Sequence, residues 1–246
     1  MGGGRIFESL VNLETLNLSA NNVRQIGNAD LASLASSSQL RALDLSNNRI
    51  ASISNFAFAK LYSLKVSYSR RSSVFRHVPR FGCPLNCRKL MSFLTWSLQT
   101  LSLRRNRLTS IPPRAFHGLG SLTLLDLGEN RLGKIPVRSF HFVRSLRRLF
   151  MDRNGFKAIP KMAFYPLSEL IELYLHANRR LAVLKENAFD GLFKLEKCIL
   201  SETPRLSHIR DGAFPTSGKA NISNWRMLIV FYATAVLSTN SLVEPL

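Results

Sequence analysis

Acidic side chains are scarce in this chain. Fifteen Asp and Glu stand against 34 Lys and Arg over 246 residues, a formal net charge of +19. That imbalance points to polyanionic or acidic partners and says nothing about fold. Cysteine is scarcer still: three residues cannot build a disulfide framework. The opening "MGGGRIFESL" has no apolar run of the kind a secretory signal needs. The one long uncharged stretch, Met227–Val243, turns polar in its second half at "STNS" and sits at the lower limit for a membrane span. No HExxH, P-loop, GxSxG or dinucleotide fingerprint occurs, which leaves no motif for the common hydrolases, nucleotide enzymes or dehydrogenases. What the chain does have is apolar material. At 46% hydrophobic and 20% charged it can bury a core.

That material is periodic. From Leu98 the sequence reads "LQTLSLRRNRLTSIPPRAFHGLGS", "LTLLDLGENRLGKIPVRSFHFVRS" and "LRRLFMDRNGFKAIPKMAFYPLSE". Asn106, Asn130 and Asn154 are 24 apart, and so are Phe116, Phe140 and Phe164. Two further copies run to 25 residues, placing Asn178, Thr203, Phe189 and Phe214. Upstream, "LRALDLSNNRIASISNFAFAKLYS" is another copy, and "LETLNLSANNVRQI" is a looser one with three extra residues near Ser36–Ser38. The LxL step has period two, so both leucines point inward and the residues beside them outward. Asparagine falls where the chain leaves that strand, where its amide can satisfy turn backbone that stacking would bury. The ladder predicted on this basis is Asn21, Asn48, Asn106, Asn130, Asn154, Asn178 and Thr203. One such unit cannot bury its apolar face alone, so units must stack and share a continuous core.

These residues resemble the leucine-rich repeat proteins, and the resemblance covers roughly residues 7–214 apart from one interruption. The 24-residue length with a Phe in each unit is similar to the typical class, found mostly in extracellular and cell-surface proteins. The "NRRLAVL" and "TPRLSHI" variants are similar to leucine-rich-repeat neuronal adhesion receptors. The resemblance implies an α/β solenoid, a horseshoe with a parallel concave sheet of about seven strands, and a role in binding proteins at the cell surface. Cysteine caps are usual at the ends of such arrays and none is seen. The chain therefore reads as an internal piece of a larger adhesion or signalling ectodomain. The parent protein is expected at the cell surface or secreted, and the polypeptide as written, without a signal peptide, in the cytoplasm. The rivals are an intracellular scaffold or regulatory subunit and the ectodomain of a leucine-rich repeat G-protein-coupled receptor.

The interruption starts at "YSLKVSYSRR". Leu64 should be followed three residues later by a strand leucine, yet that leucine is Leu101, which is 34 residues too late. Removing residues 65–98, 66–99 or 67–100 restores the period. The middle choice starts at Val66-Ser67, the only Val-Ser in the chain, and ends at Gln99. Lys-Val-Ser and Gln can be encoded AAG-GTA-AGT and CAG, the two ends of an intron. Residues 66–99 hold six Lys and Arg, no acid and two of the three cysteines, including the "CPLNC" of Cys83–Cys87. They are read as a translated intron, with a surface loop as the alternative. The expected organisation is repeats 1–2 over 7–65, an insertion over 66–99, repeats 3–7 over 100–214, and a poorly ordered non-repeat tail over 215–246. Without the insertion the net charge is still +13.

The outward strand positions carry the functional expectation. Phe150, Tyr174 and Ile199 share one column, an apolar contact patch for a protein ligand. Arg104, Arg105, Glu129, Arg148, Asp152, Arg153 and His176 are expected as its rim. A second column, Arg49, Arg107, Arg131 and Arg179, follows the asparagines and would suit a sulfated glycan or an acidic protein surface. Nucleic acid is disfavoured because no aromatic-interleaved groove or recognition helix is present. Asn17 and Asn221 lie in N-glycosylation sequons. No cofactor and no metal are expected: His117 and His141 share a periodic position, but no third ligand joins them. Cys198, at a strand-leucine position, is expected in the core.

Overall fold

The computed structural model describes residues 7–37, 39–64, 94–96 and 98–214. Asn221, Met227–Val243, Cys83, Cys87, most of the 66–99 insertion and the 215–246 tail lie outside the described residues. Among the described residues no helix is long and apolar enough to cross a membrane.

Each LxL step forms a three-residue strand. These are β1 (Thr15–Asn17), β3 (Ala42–Asp44), β7 (Thr100–Ser102), β8 (Leu124–Asp126), β9 (Arg148–Phe150), β11 (Glu172–Tyr174) and β13 (Lys197–Ile199). They pair in parallel, in that order, as one seven-stranded sheet. The register places Leu16, Leu43, Leu101, Leu125, Leu149, Leu173 and Cys198 side by side. From Leu101 onward every member of that row is 0% exposed, and Cys198 joins it as a core residue whose thiol burial pushes up to about 12. Short outer strands continue the stack: β2 (Gln25–Ile26) with β4 (Ser52–Ile53), and β10 (Ala158–Ile159) with β12 (Val183–Leu184) and β14 (His208–Ile209).

The expected solenoid is therefore what the chain forms. Its helical part is small: a five-residue 3-10 helix over Ala32–Ser36 and a single turn, α1 (Val137–Phe140), are the only helices among the described residues. The 3-10 helix lies beside the place where the extra residues of the loose copy were expected. On the side away from the sheet the repeated phenylalanines stack, Phe58 on Phe116, Phe140 on Phe164, Phe164 on Phe189 and Phe189 on Phe214.

The asparagines act as the pattern requires. Asn106 Nδ2 donates to the carbonyls of Leu45 (3.0 Å) and Leu103 (3.1 Å), while its Oδ1 accepts the Ile50 N–H (2.9 Å). Asn48, Asn130 and Asn154 repeat this. In the 25-residue unit the donor shifts, and Asn178 Oδ1 takes the N–H of Asn154 itself (2.8 Å). At the last position Thr203 donates its hydroxyl to Leu200 O (2.9 Å). One feature was not visible in the letters. The residue before each ladder position has a left-handed backbone, from Ala20 (φ 56°) through Arg105 (52°) and Glu129 (52°) to Glu202 (56°). An L side chain there costs of order 1 kcal/mol, which the ladder bonds offset.

At the interruption β3 pairs directly with β7, so the stack crosses it without a gap. Gln99 N–H donates to Arg41 O (2.8 Å), and Leu98 is buried. The unit read from Leu98 thus docks directly on the one before the interruption, with Leu98 in the core position that Leu122 fills in the next unit. At the mouth of the insertion β5 (Tyr62–Leu64) pairs antiparallel with β6 (Leu94–Trp96).

Candidate functional site

On the outer surface of the sheet each strand contributes three successive outward positions, and the pairing sets them in columns. Phe150, Tyr174 and Ile199 are direct cross-strand neighbours. The Phe150 and Tyr174 rings stack face to face, centroids 4.4 Å apart and 13° from parallel. All three residues are half-buried. Tyr174 is fixed from three further sides. Its hydroxyl donates to Glu172 Oε2 (2.8 Å), Lys197 Nζ lies 5.1 Å from the ring centre, and His176 meets it edge-on at 6.5 Å. Lys197 and Glu172 belong to this site although the sequence reading did not include them. The signal was present in the strand register, one column over.

The expected rim is organised differently from what the letters implied. Asp152 is not a rim residue: its side chain is fully buried. Arg104 reaches it across two strands, Nη2 to Oδ2 at 2.8 Å and Nη1 to Oδ1 at 3.1 Å. The unit between them places Gly128 two residues past β8, and a Cβ there would run into Arg104 Nη1 and stand 2.6 Å from Asp152 Oδ1. Glycine is what lets the guanidinium lie flat across the sheet. Arg104 also donates to Glu129 Oε1 (2.8 Å) and approaches Asp126 (3.4 Å). Glu129 receives Arg105 Nε at 2.9 Å and Arg153 Nη1 at 3.4 Å.

Three arginines therefore face three carboxylates, and the cluster is internally neutral. The Arg104 guanidinium, bonded to Asp152, is held firmly in its charged form. Burial pushes the Asp126 carboxyl up, against the Gly128 N–H and Arg104 that stabilise its anion. For Glu129 burial acts the same way but loses, and the bonds from Arg105 and Arg104 leave its carboxyl below the usual range. His176 Nε2 is 3.7 Å from Asp152 Oδ2, and its Nδ1 is buried without a hydrogen-bond partner in the structure. Arg148 stands exposed in the column beside the aromatic one, level with Glu172 and Lys197.

The remaining expectations sort themselves by position. Asn17 is exposed on β1, with its Oδ1 accepting the Ser19 N–H (2.8 Å). Asp44 and Asp126 do the same for Ser46 and Gly128 (2.8 and 2.9 Å), so these acids brace the sheet margin. His117 meets Phe56 edge-on (5.1 Å) and Phe142 at a tilt (5.2 Å). Burial and then Arg114 lower its pKa. Among the described residues no group of three or more His, Cys, Asp or Glu could hold a metal ion. The arrangement offers a flat, rigid apolar lane beside a neutral ion-pair cluster: a surface for contact.

Comparison with known proteins agrees with this architecture. The family described as leucine rich repeat matches residues 97–156 and 144–204, and the BspA type leucine rich repeat region, of 6 copies, matches residues 3–75. No curated protein matches the chain. Among solved structures, the crystal structure of a TLR13–ssRNA13 complex is similar at 26% identity with a TM-score of 0.59. The match covers 80% of this chain and 24% of that one, so the chain spans about a quarter of the length of that neighbour.

Proposed function

Because the chain is a leucine-rich repeat protein, we propose that it is a protein-binding module that docks a protein ligand on the concave sheet over β9, β11 and β13. The observation that carries this is the Phe150–Tyr174 stack with Ile199 beside it. Rigid aromatics that lose little conformational freedom on binding are the usual anchors of an interface. Arg148 and Lys197, both exposed, would supply polar contacts at its edge. The neutral cluster around Arg104 would hold the neighbouring surface still. On this reading the protein is an adhesion or signalling receptor of the cell surface, with the likeness to neuronal adhesion receptors as its narrowest form.

Single-stranded RNA, the partner in the TLR13–ssRNA13 structure, is the second reading, and the net charge of +19 is what favours it. The aromatic lane argues against RNA there. Its rings already face each other at 4.4 Å, and Glu172 lies alongside.

The test is a binding screen of the purified full chain against an array of extracellular proteins and a matched intracellular array. A ligand of the proposed site loses on the order of 30-fold in affinity on Tyr174→Ser or Phe150→Ala, the effect of a hot-spot truncation. Ligands indifferent to both substitutions would place binding elsewhere. Hits confined to the intracellular array would favour a scaffold.

A further inference from the structure

A second surface, independent of the concave site, lies where the chain turns away from the sheet. In the four residues after each ladder position the seven units together carry nine Lys or Arg and no Asp or Glu. All nine are exposed, and none makes an ion pair among the described residues. Every acid described belongs to another part of its unit.

The basic groups are aligned. The Arg107 N–H donates to Ile50 O (2.9 Å) and the Arg131 N–H to Leu108 O (2.8 Å), so each unit stacks on the one before. Arg49, Arg107 and Arg131 therefore stand side by side, about 4.8 Å apart from unit to unit. Where glycine interrupts the column at Gly155, Lys157 supplies the charge two residues on, and Arg179 resumes the column in the next unit. Such a row repels itself, and no ion pair among the described residues offsets it. The side chains between the charges, such as Ile50, Leu108 and Leu132, are buried in the core, so this flank offers no exposed aromatic on which a base could stack.

We propose that this flank is a binding site for a linear sulfated polysaccharide running along the solenoid, across the repeats. The charge density and the lack of stacking surface favour sulfated sugar over a nucleic acid.

The test uses the full chain and a size-defined heparin oligosaccharide, with affinity measured across a salt series. The wild-type protein binds with a steep salt dependence. The triple variant Arg49→Ala, Arg107→Ala, Arg131→Ala loses on the order of 100-fold, and its slope of log affinity against log salt falls by about 2 to 3, the counterions of three contacts. Arg107→Glu alone weakens binding about tenfold. A control triple, Lys60→Ala, Arg138→Ala, Arg144→Ala, removes the same charge elsewhere and retains wild-type affinity. Tyr174→Ser also retains it, which separates this site from the concave one. Equal loss in the control triple overturns the proposal, because net charge alone would then explain binding. Poly(U) RNA that binds as tightly as heparin and depends on the same arginines also overturns it, in favour of a phosphate polymer.

Discussion

The concave sheet between Arg104 and His176 and the flank from Arg49 to Arg179 are built from the same repeat, yet they handle charge in opposite ways. On the sheet, one column reads Arg104, Gly128, Asp152, His176. Its members differ, so each charged group finds an opposite one within reach, and a glycine opens the path between them. On the flank the column repeats arginine in four of five units, with Gly155 the exception. Stacking the same residue in successive units places like charges beside like, with no ion-pair partner among the described residues. A solenoid turns sequence variation within a column into internal compensation, and sequence repetition into an uncompensated field.

The sharpest way to break this comparison is to remove one arginine from each side. Arg104→Met leaves Asp152 buried without its counter-charge and is expected to destabilise by about 3–5 kcal/mol, the cost of orphaning a buried ion. Arg107→Ala, three residues along in the same unit, is expected to change stability by no more than about 0.5 kcal/mol. Urea unfolding of both variants measures the contrast, and equal effects would mean that Asp152 is solvated rather than locked. Next in size is Gly128→Ala. Its methyl would meet a guanidinium pinned at both ends, and a loss of about 1–3 kcal/mol is expected. Arg104→Met placed beneath it should remove most of that penalty, a non-additivity readable in a double-mutant cycle.

Acid titration sharpens the comparison further. Glu129 has its pKa lowered in the folded state, so it contributes stability that is present above the ordinary carboxylate pKa and lost as pH falls through the folded value. Asp126, raised by burial, works the other way: stability falls as pH rises from its ordinary pKa through the raised one. Glu129→Gln should therefore flatten the loss of stability on the acid side, and Asp126→Asn should steepen it. Thermal melts between pH 3 and 6, about the range of the ordinary carboxylate pKa values, would show it. Lys157→Gln on the flank should leave that profile unchanged. The smallest effect concerns the left-handed backbone before the ladder. Asn tolerates φ near 56° better than Glu, and Glu202→Asn should raise stability by about 0.5 kcal/mol. A decrease would mean that Glu202 makes a contact worth more than the strain.

Much of the fold was legible because a 24-residue period leaves little choice of where each part of a unit goes. The seven LxL steps became the seven strands, with Phe150, Tyr174 and Ile199 in one column as expected. The asparagine ladder followed from the need to satisfy a buried turn, and its change at Asn178 tracks the one-residue lengthening of that unit. The candidate site was less legible. Asp152 was expected at the rim because outward strand positions are usually exposed. It is buried because an arginine 48 residues away lies over it, through a gap left by a glycine in the unit between. No periodic rule predicts a contact that depends on three different residues in three successive units. Lys197 over Tyr174 is a diagonal neighbour of the same kind.

By itself the sequence determined the repeat, the strand positions, the ladder, the basic flank and the break after Leu64, since each is a property of spacing and composition. Only the tertiary structure decided that the break leaves β3 and β7 directly paired and that the residue before each ladder position turns left-handed. It also decided which charges neutralise one another. The physical reason is range. Spacing along the chain determines which face a side chain occupies, whereas burial and ion pairing depend on what neighbouring units place within about 4 Å of it.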